Sequence, residues 1–269
     1  MIDLRSPFDR LWQNKDPFAE VFALEGEEFR NVKNRRTFRV EFDGKGFFVK
    51  IHRHVGYKEI IKNLLQFKLP VTGAKNEYLA LEKLHTLNIP TMESAAFGSR
   101  NFNPAKKESF LITRELTDVI SLEELASEKI APELKIRLIR ALAGSVGPMH
   151  HAGINHRDCY ICHYLLQKSS ATSHIPTLFV IDLHRAQIRK KVPLRYQLKD
   201  VAGLFFSSLD TNLSKRDVLR FIRIYSGKKL HDELQNNLYF WLKVQKIARK
   251  LYFKEFQRVP AHDPFAPEK

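Results

Sequence analysis

Cysteine is nearly absent: Cys159 and Cys162 are the only two in 269 residues. Two thiols can build neither a disulfide framework nor the four-ligand set of a structural zinc. Kept reduced in a loop, they suit a cytosolic protein. Long apolar runs are missing as well, and nothing approaches the roughly eighteen residues that a membrane span needs. Acid is in deficit, with 30 Asp+Glu against 45 Lys+Arg and a net charge of +15. That excess points to an anionic partner, whether nucleic acid, lipid, acidic protein or charged substrate. No repeat or low-complexity segment appears, and 43% apolar residues supply a core for one large or two modest domains.

What is present concentrates between His150 and Asp182. The run His156-Arg157-Asp158-Cys159-Tyr160-Ile161-Cys162-His163 has the H-R-D-x-x-x-x-N spacing of a kinase catalytic loop, with His163 in place of the Asn. The apolar run Leu178-Phe179-Val180-Ile181 follows and ends in Asp182-Leu183-His184 instead of D-F-G. Phosphoryl transfer needs a base near the acceptor hydroxyl and donors for a metal, here Asp158 for the first and Asp182 for the second. The same stretch contains a literal C-x-x-C-H at Cys159–His163, the haem c attachment pattern and also a redox or zinc half-site. Haem c requires export, and Met1-Ile2-Asp3-Leu4-Arg5 does not read as an export signal, since an acid comes third and no apolar core follows.

Toward the N-terminus, Phe8, Leu11, Trp12, Phe18, Val21 and Phe22 are spaced for a short segment that docks on the domain. Three strands are expected over 28–32, 37–42 and 47–50, with turns at Lys33-Asn34-Arg35-Arg36 and at Asp43-Gly44-Lys45-Gly46. Lys50 closes the third strand as the phosphate-pairing Lys closes V-A-I-K in kinases. The first turn lacks the G-x-G-x-x-G cradle and offers Arg35 and Arg36, so side chains would hold the phosphates. Residues 57–69 form a basic amphipathic stripe that serves either as core or as a membrane-surface helix. Glu77, on a helix from about 73 to 88, is the candidate partner of Lys50. Two more strands, over 91–98 and 110–113, would complete a five-stranded sheet, with Glu115 and Leu116 in a hinge that offers backbone groups to adenine. Ser121 and Glu124 form a capping box, and Pro132 to His151 a long helix in which His150 and His151 read as structural. Residues 183–199 carry Arg185, Arg189, Lys190, Lys191, Arg195 and Lys199 without one acid, and lack A-P-E. With Arg157 they suit an anionic acceptor better than a peptide. Asp200 would brace the catalytic loop, two helices follow over 214–226 and 232–258, and the proline-bearing tail from Val259 is expected to hang loose.

The fold class expected is α+β, a two-lobed protein-kinase-like fold. Residues 1–116 would form a small antiparallel-sheet lobe, and residues 117–269 a mostly helical one. Beyond these general kinase features, the chain resembles the WaaP-type lipopolysaccharide core heptose(I) kinases (Kdo/WaaP family) of Gram-negative bacteria along nearly its whole length. The resemblance rests on Pro7-Phe8, Leu11-Trp12, Lys15-Asp16-Pro17-Phe18, Arg35-Arg36-Thr37, Glu59-Ile60-Ile61-Lys62-Asn63-Leu64-Leu65 and Ala96-Phe97-Gly98. It is carried most specifically by Ala152-Gly153-Ile154-Asn155 with the loop through His163, and by Val180-Ile181-Asp182-Leu183-His184-Arg185-Ala186-Gln187. It implies phosphorylation by ATP of the 4-hydroxyl of the first inner-core heptose, at the inner face of the inner membrane. Asp158 would then be the base, and Asp182 would hold Mg2+ with His163 in the second metal-side position. Lys50 would meet ATP phosphates and Glu77 would hold Lys50. The acceptor is a lipid-linked polyanion rather than nucleic acid, and the resemblance also implies acyl carrier protein, itself acidic, as a partner. Alternatives are a protein (tyrosine) kinase, a kinase of Kdo or of the second heptose, and a non-catalytic module for acidic partners. Lys50, Glu77, Asp158 and Asp182 standing together argue against the last.

Overall fold

A computed structural model describes residues 1–32, 34–53, 73–101, 103, 106–128 and 130–266. Lys33 and the stripe at 57–69 lie outside the described residues. The chain divides into two units, Met1–Lys83 with Met92–Leu116 and Leu84–Thr91 with Thr117–Lys269.

The first unit is built on an antiparallel sheet of β1 (Ile2–Leu4), β2 (Glu27–Val32), β3 (Arg35–Phe42), β4 (Lys45–His52), β5 (Ser94–Arg100) and β6 (Glu108–Arg114). The strand order is β1-β5-β6-β4-β3-β2, six strands among the described residues where the sequence pattern led us to expect five. The additional strand is β1, paired with β5 from Ile2 opposite Gly98 to Leu4 opposite Ala96. The hairpin between β3 and β4 turns on Asp43 and Gly44, both at positive φ (50° and 70°), the two-residue connection that D-G favours. The preceding turn is shorter than expected, because Arg35 and Arg36 are already strand residues opposite His52 and Ile51. Alternation along β4 sends Phe47, Val49 and Ile51 into the core and leaves Lys50 on the other face. Two short helices, α1 (Phe8–Leu11) and α2 (Pro17–Ala23), cover the apolar face. Asp16 caps α2 by accepting from the Phe18 N–H at 3.1 Å, with Pro17 at the first helical position. Phe8, Trp12, Phe18 and Val21 join Phe38, Phe47, Val49, Phe110 and Ile112 in one cluster, so the N-terminal segment is a layer of the core. Helix α3 (Lys75–Thr86) buries Glu77, Ala80, Leu81 and Leu84.

The second unit opens with β7 (Val119–Ser121), α4 (Leu122–Ala126) and α5 (Pro132–His151). The Ser121–Glu124 capping box is present, and α5 turns Leu138, Ile139, Leu142 and Val146 inward. Next come β8 (Ile154–Asn155), a 3-10 turn (Ile161–His163), β9 (Tyr164–Gln167), β10 (Leu178–Val180), a second 3-10 turn (Leu183–Arg185) and β11 (Gln187–Ile188). Three long helices complete it: α6 (Leu194–Ser208), α7 (Lys215–Ser226) and α8 (Leu230–Phe256). Strand order is β10-β9-β7 in one small sheet and β11-β8 in another. Leu84–Thr91 supports β10: the Val180 N–H donates to Pro90 O at 2.9 Å, and the Thr91 hydroxyl donates to Val180 O at 2.6 Å. The C-terminal tail does not hang loose. Asp210 accepts the Ala261 and His262 amides at 2.7 and 3.2 Å, and Arg249 holds Asp263 at 2.5 Å. Among the described residues, no helix is long and apolar enough to cross a membrane.

Candidate active site

In the second unit the loop between β8 and β9 is fixed from below by Asp200 on α6. Its Oδ2 accepts the His156 amide at 2.6 Å and its Oδ1 the Arg157 amide at 2.9 Å. These bonds hold Arg157 at φ 75°, a conformation costly for a non-glycine residue. His150 braces the same carboxylate through Nε2 (3.2 Å) and accepts from Tyr225 at Nδ1 (2.8 Å), which makes it structural. The His156 ring donates from Nε2 to Ile181 O at 2.9 Å, and burial holds this histidine below its ordinary range, hence neutral. The H-R-D histidine thereby ties the catalytic loop to the residue before Asp182.

Asp158, Asp182 and His163 converge on that frame. The His163 Nδ1–H donates to Asp158 O at 2.7 Å, and its Nε2 faces Asp182 Oδ2 at 3.5 Å. Burial disfavours the imidazolium, but bonds to Cys162 and to the Asp158 carbonyl, with the Asp182 charge, push His163 up to about 9. Asp182 stands in the left-handed region (φ 58°, ψ 47°), and its Oδ1 accepts from His184 Nδ1 at 2.6 Å. Asp158 Oδ1 accepts from Arg185 Nη1 at 2.6 Å. Magnesium is ordinarily held by one or two carboxylates together with substrate phosphates and water. Asp182 supplies a carboxylate of that kind, whereas His163 would join it only on giving up its Nε2 proton, and nitrogen is a soft donor for so hard an ion. Among the described residues no group of three or more His, Cys, Asp or Glu side chains forms a metal cluster.

Cys159 is packed rather than poised. Cys159 is buried with its Sγ 3.2 Å from the Tyr164 hydroxyl, and burial pushes its thiol up. Both cysteines are free thiols.

The basic segment begins by pairing with the catalytic loop, Gln187 opposite Asn155 and Ile188 opposite Ile154. Gly153 permits this, since at φ +86° a Cβ would stand 1.8 Å from Arg189 O. Arg189 is engaged within the protein: it donates to Asn155 Oδ1 (2.7 Å) and Gln187 Oε1 (2.6 Å) and stacks on Tyr196 at 4.7 Å. Arg195 lies over the same ring and donates to its hydroxyl at 3.1 Å. Lys190 and Lys191 are exposed and Arg157 is half-buried.

In the first unit, Lys50 Nζ donates to Glu77 Oε1 at 2.6 Å, with the Glu77 side chain 1% exposed and Lys50 18%. The pair expected from the sequence is therefore formed. Glu115 is held by Arg39, whose Nε reaches its oxygens at 3.0 and 2.9 Å, and its amide donates to Gly46 O at 2.9 Å. Leu116 ends this unit. Arg36 bonds Glu28 at 2.7 Å and Leu24 O at 2.9 Å and lies over Phe38, while Arg35 begins β3. Sequence reasoning overlooked His184 on Asp182, although the two-residue separation was a usable signal. It also overlooked the Asn155–Arg189–Gln187 cluster, which only the β8–β11 pairing brings together.

Residues 19–225 match the lipopolysaccharide kinase (Kdo/WaaP) family. The lipopolysaccharide core heptose(I) kinase WaaP of Pseudomonas aeruginosa is 46% identical over 254 residues, covering 93% of this chain and 95% of its own length. The Escherichia coli protein of that name is 46% identical over 240 residues, covering 87% of this chain and 91% of its own. A solved structure of WaaP in complex with acyl carrier protein matches with a TM-score of 0.82 at 41% identity, over 94% of this chain and 99% of that one. The fold is α+β and protein-kinase-like. This chain belongs to the lipopolysaccharide kinase (Kdo/WaaP) family and is an ATP-dependent sugar kinase.

Proposed function

We propose that this chain transfers the γ-phosphate of ATP to the 4-hydroxyl of the first heptose of the lipopolysaccharide inner core, with Asp158 as the base. The reading is supported above all by one observation: a single histidine, His163, bonds the Asp158 backbone and faces the Asp182 carboxylate. It links the proposed proton acceptor on the β8–β9 loop to the proposed metal-binding carboxylate that follows β10. Asp182 and His163 would hold Mg2+, which when bound neutralises charge developing on the phosphate oxygens. We read residues 1–116 as the nucleotide-covering lobe, in which Glu77 aims the Lys50 ammonium at phosphate, and Arg35, Arg36 and the Glu115-Leu116 backbone contribute further contacts. Residues 117–269 form the catalytic lobe. The acceptor carries phosphates and Kdo carboxylates, for which Arg157, Arg185, Arg189, Lys190, Lys191 and Arg195 supply positive charge.

Such an acceptor is embedded in the inner membrane, and α8 supports a peripheral approach to it. From Leu234 to Lys254 the sequence holds five bases and no acid. Its exposed Lys243, Lys246, Lys250 and Lys254 stand among exposed Leu238, Tyr239, Leu242 and Phe253. Bases among aromatic and apolar side chains suit the surface of an anionic bilayer. Acyl carrier protein is a second partner, supported by the complex formed by the WaaP relative. An apolar cavity of about 500 Å3 in the second unit, lined by Leu138, Leu142, Leu204, Ile222 and Trp241 among others, has the chemistry an acyl chain requires.

The experiment is phosphate transfer from labelled ATP to purified unphosphorylated core lipopolysaccharide. Wild type should label the lipid, and Asp158→Ala should lower the rate on the order of 10²–10⁴-fold. Label appearing on protein and not on lipid would overturn the acceptor assignment.

A further inference from the structure

Arg185 ends the turn Leu183–Arg185, and its Nη1 donates to Asp158 Oδ1 at 2.6 Å. A cation expected from the sequence to meet the acceptor stands instead on the candidate base. The two roles are compatible, because a guanidinium fork matches any carboxylate or phosphate. While the guanidinium stays on Oδ1 it neutralises the carboxylate and lowers its basicity, so the pair must loosen for Asp158 to take a hydroxyl proton readily. The Arg185 side chain is 43% exposed and that of Asp158 15%. The Asp158 carboxylate is largely covered, so opening the pair with nothing offered in exchange leaves a poorly hydrated charge. An acceptor that brings both an anion for Arg185 and a hydroxyl for Asp158 replaces both halves of the contact. Neighbouring Arg189 is less suited to that exchange, since Asn155 and Gln187 already hold both ends of its fork.

We propose that Arg185 makes the base answer to the charge of the acceptor, an inference that rests on the sugar-kinase reaction proposed above. An acceptor with a carboxylate or phosphate beside its hydroxyl places that anion on the Arg185 guanidinium, and Asp158 Oδ1 is released. The acceptor O–H proton passes to Asp158, and the oxygen's electron pair forms the new bond to the γ-phosphorus. The bond from that phosphorus to the bridging oxygen breaks, and its electrons leave with ADP. Water and neutral sugars bring no anion and leave the ion pair closed. Arg185 is thus a positioning residue that selects anionic acceptors and protects ATP from hydrolysis.

The test compares three rates in the full chain for wild type, Arg185→Gln and Arg185→Lys. These are ATP hydrolysis without acceptor, transfer to a free neutral heptose, and transfer to unphosphorylated core lipopolysaccharide. Arg185→Gln should raise hydrolysis and neutral-heptose transfer, while KM for the core lipid rises on the order of tenfold through loss of a charge-assisted contact. Arg185→Lys, with a point charge and no fork, should fall between. Core lipid with its carboxyls reduced, compared with core lipid stripped of phosphate, identifies the anion by whichever treatment slows wild type. If neither does, the proposal fails. It also fails if Arg185→Gln lowers all three rates in parallel, which would make Arg185 a mere support for Asp158. Should wild type label no core lipid while Arg185→Gln still hydrolyses ATP faster, the acceptor assignment falls and the coupling of Arg185 to the base stands.

Discussion

Asp200 binds two consecutive amides of the catalytic loop and a buried histidine with one carboxylate. Asp200→Asn preserves its shape but turns one acceptor into a donor facing an N–H. We expect a loss of stability on the order of 2 kcal/mol in urea unfolding, the cost of a buried unsatisfied pair. In transfer assays kcat should fall with it, because the amide frame of Asp158 loosens. Glu77→Gln removes charge from the partner of Lys50 and should lower kcat/KM for ATP on the order of tenfold, the equivalent of one charge-assisted hydrogen bond. The Asp200 brace and the Lys50–Glu77 pair were legible in the sequence, because each residue sits at a set remove from an apolar strand or loop. Arg39 with Glu115 and Arg189 with Asn155 were not, since their partners lie 76 and 34 residues away and no local pattern links them.

Among elements, the β8–β11 pairing depends on Gly153. Gly153→Ala combines a left-handed φ with a clash against Arg189 O, and we expect more than about 1 kcal/mol of destabilisation together with reduced transfer. Helix α7 gives a pH prediction. Burial alone would raise the Asp217 carboxyl, but bonds from the Ser214 amide and hydroxyl and from the Lys135 ammonium outweigh it and hold the group below its ordinary range. A depressed folded pKa contributes stability above the ordinary value of about 4 and loses it as pH falls through the folded value. Acid unfolding below about pH 4 should therefore be shallower in Asp217→Asn, whose stability near neutrality is lower by about 1 kcal/mol. Helices α5 and α8 were readable from apolar spacing, α4 from its capping box, and the β3–β4 hairpin from its D-G turn. Strand β1 escaped notice because three residues are too few to show an alternation. Arg35 and Arg36 were placed in a turn because their charge obscured a strand whose core contact begins at Phe38.

For the molecule as a whole, the imbalance of +15 points to an anionic partner, in keeping with the acceptor proposed above. Binding of core lipopolysaccharide should weaken steeply with added salt, and KM for ATP less so, because exposed charges beyond a Debye length are screened. Vesicles containing anionic lipid should bind wild type, and replacing Lys243, Lys246, Lys250 and Lys254 by Gln should remove most of that binding at unchanged thermal stability. The division into units was less legible than the charge. Leu84–Thr91 begins within the last turn of α3, and no sequence signal marks that point as a boundary, yet it packs with the second unit. There Pro90 and Thr91 satisfy both backbone groups of Val180, two residues before Asp182. No single scission therefore yields two self-sufficient halves: a fragment starting at Thr117 would lack the support of β10, the strand that leads into Asp182. Split reporters, domain transplants and chimaeras between relatives must carry residues 84–91 along with the C-terminal piece, as a graft in sequence though not in space.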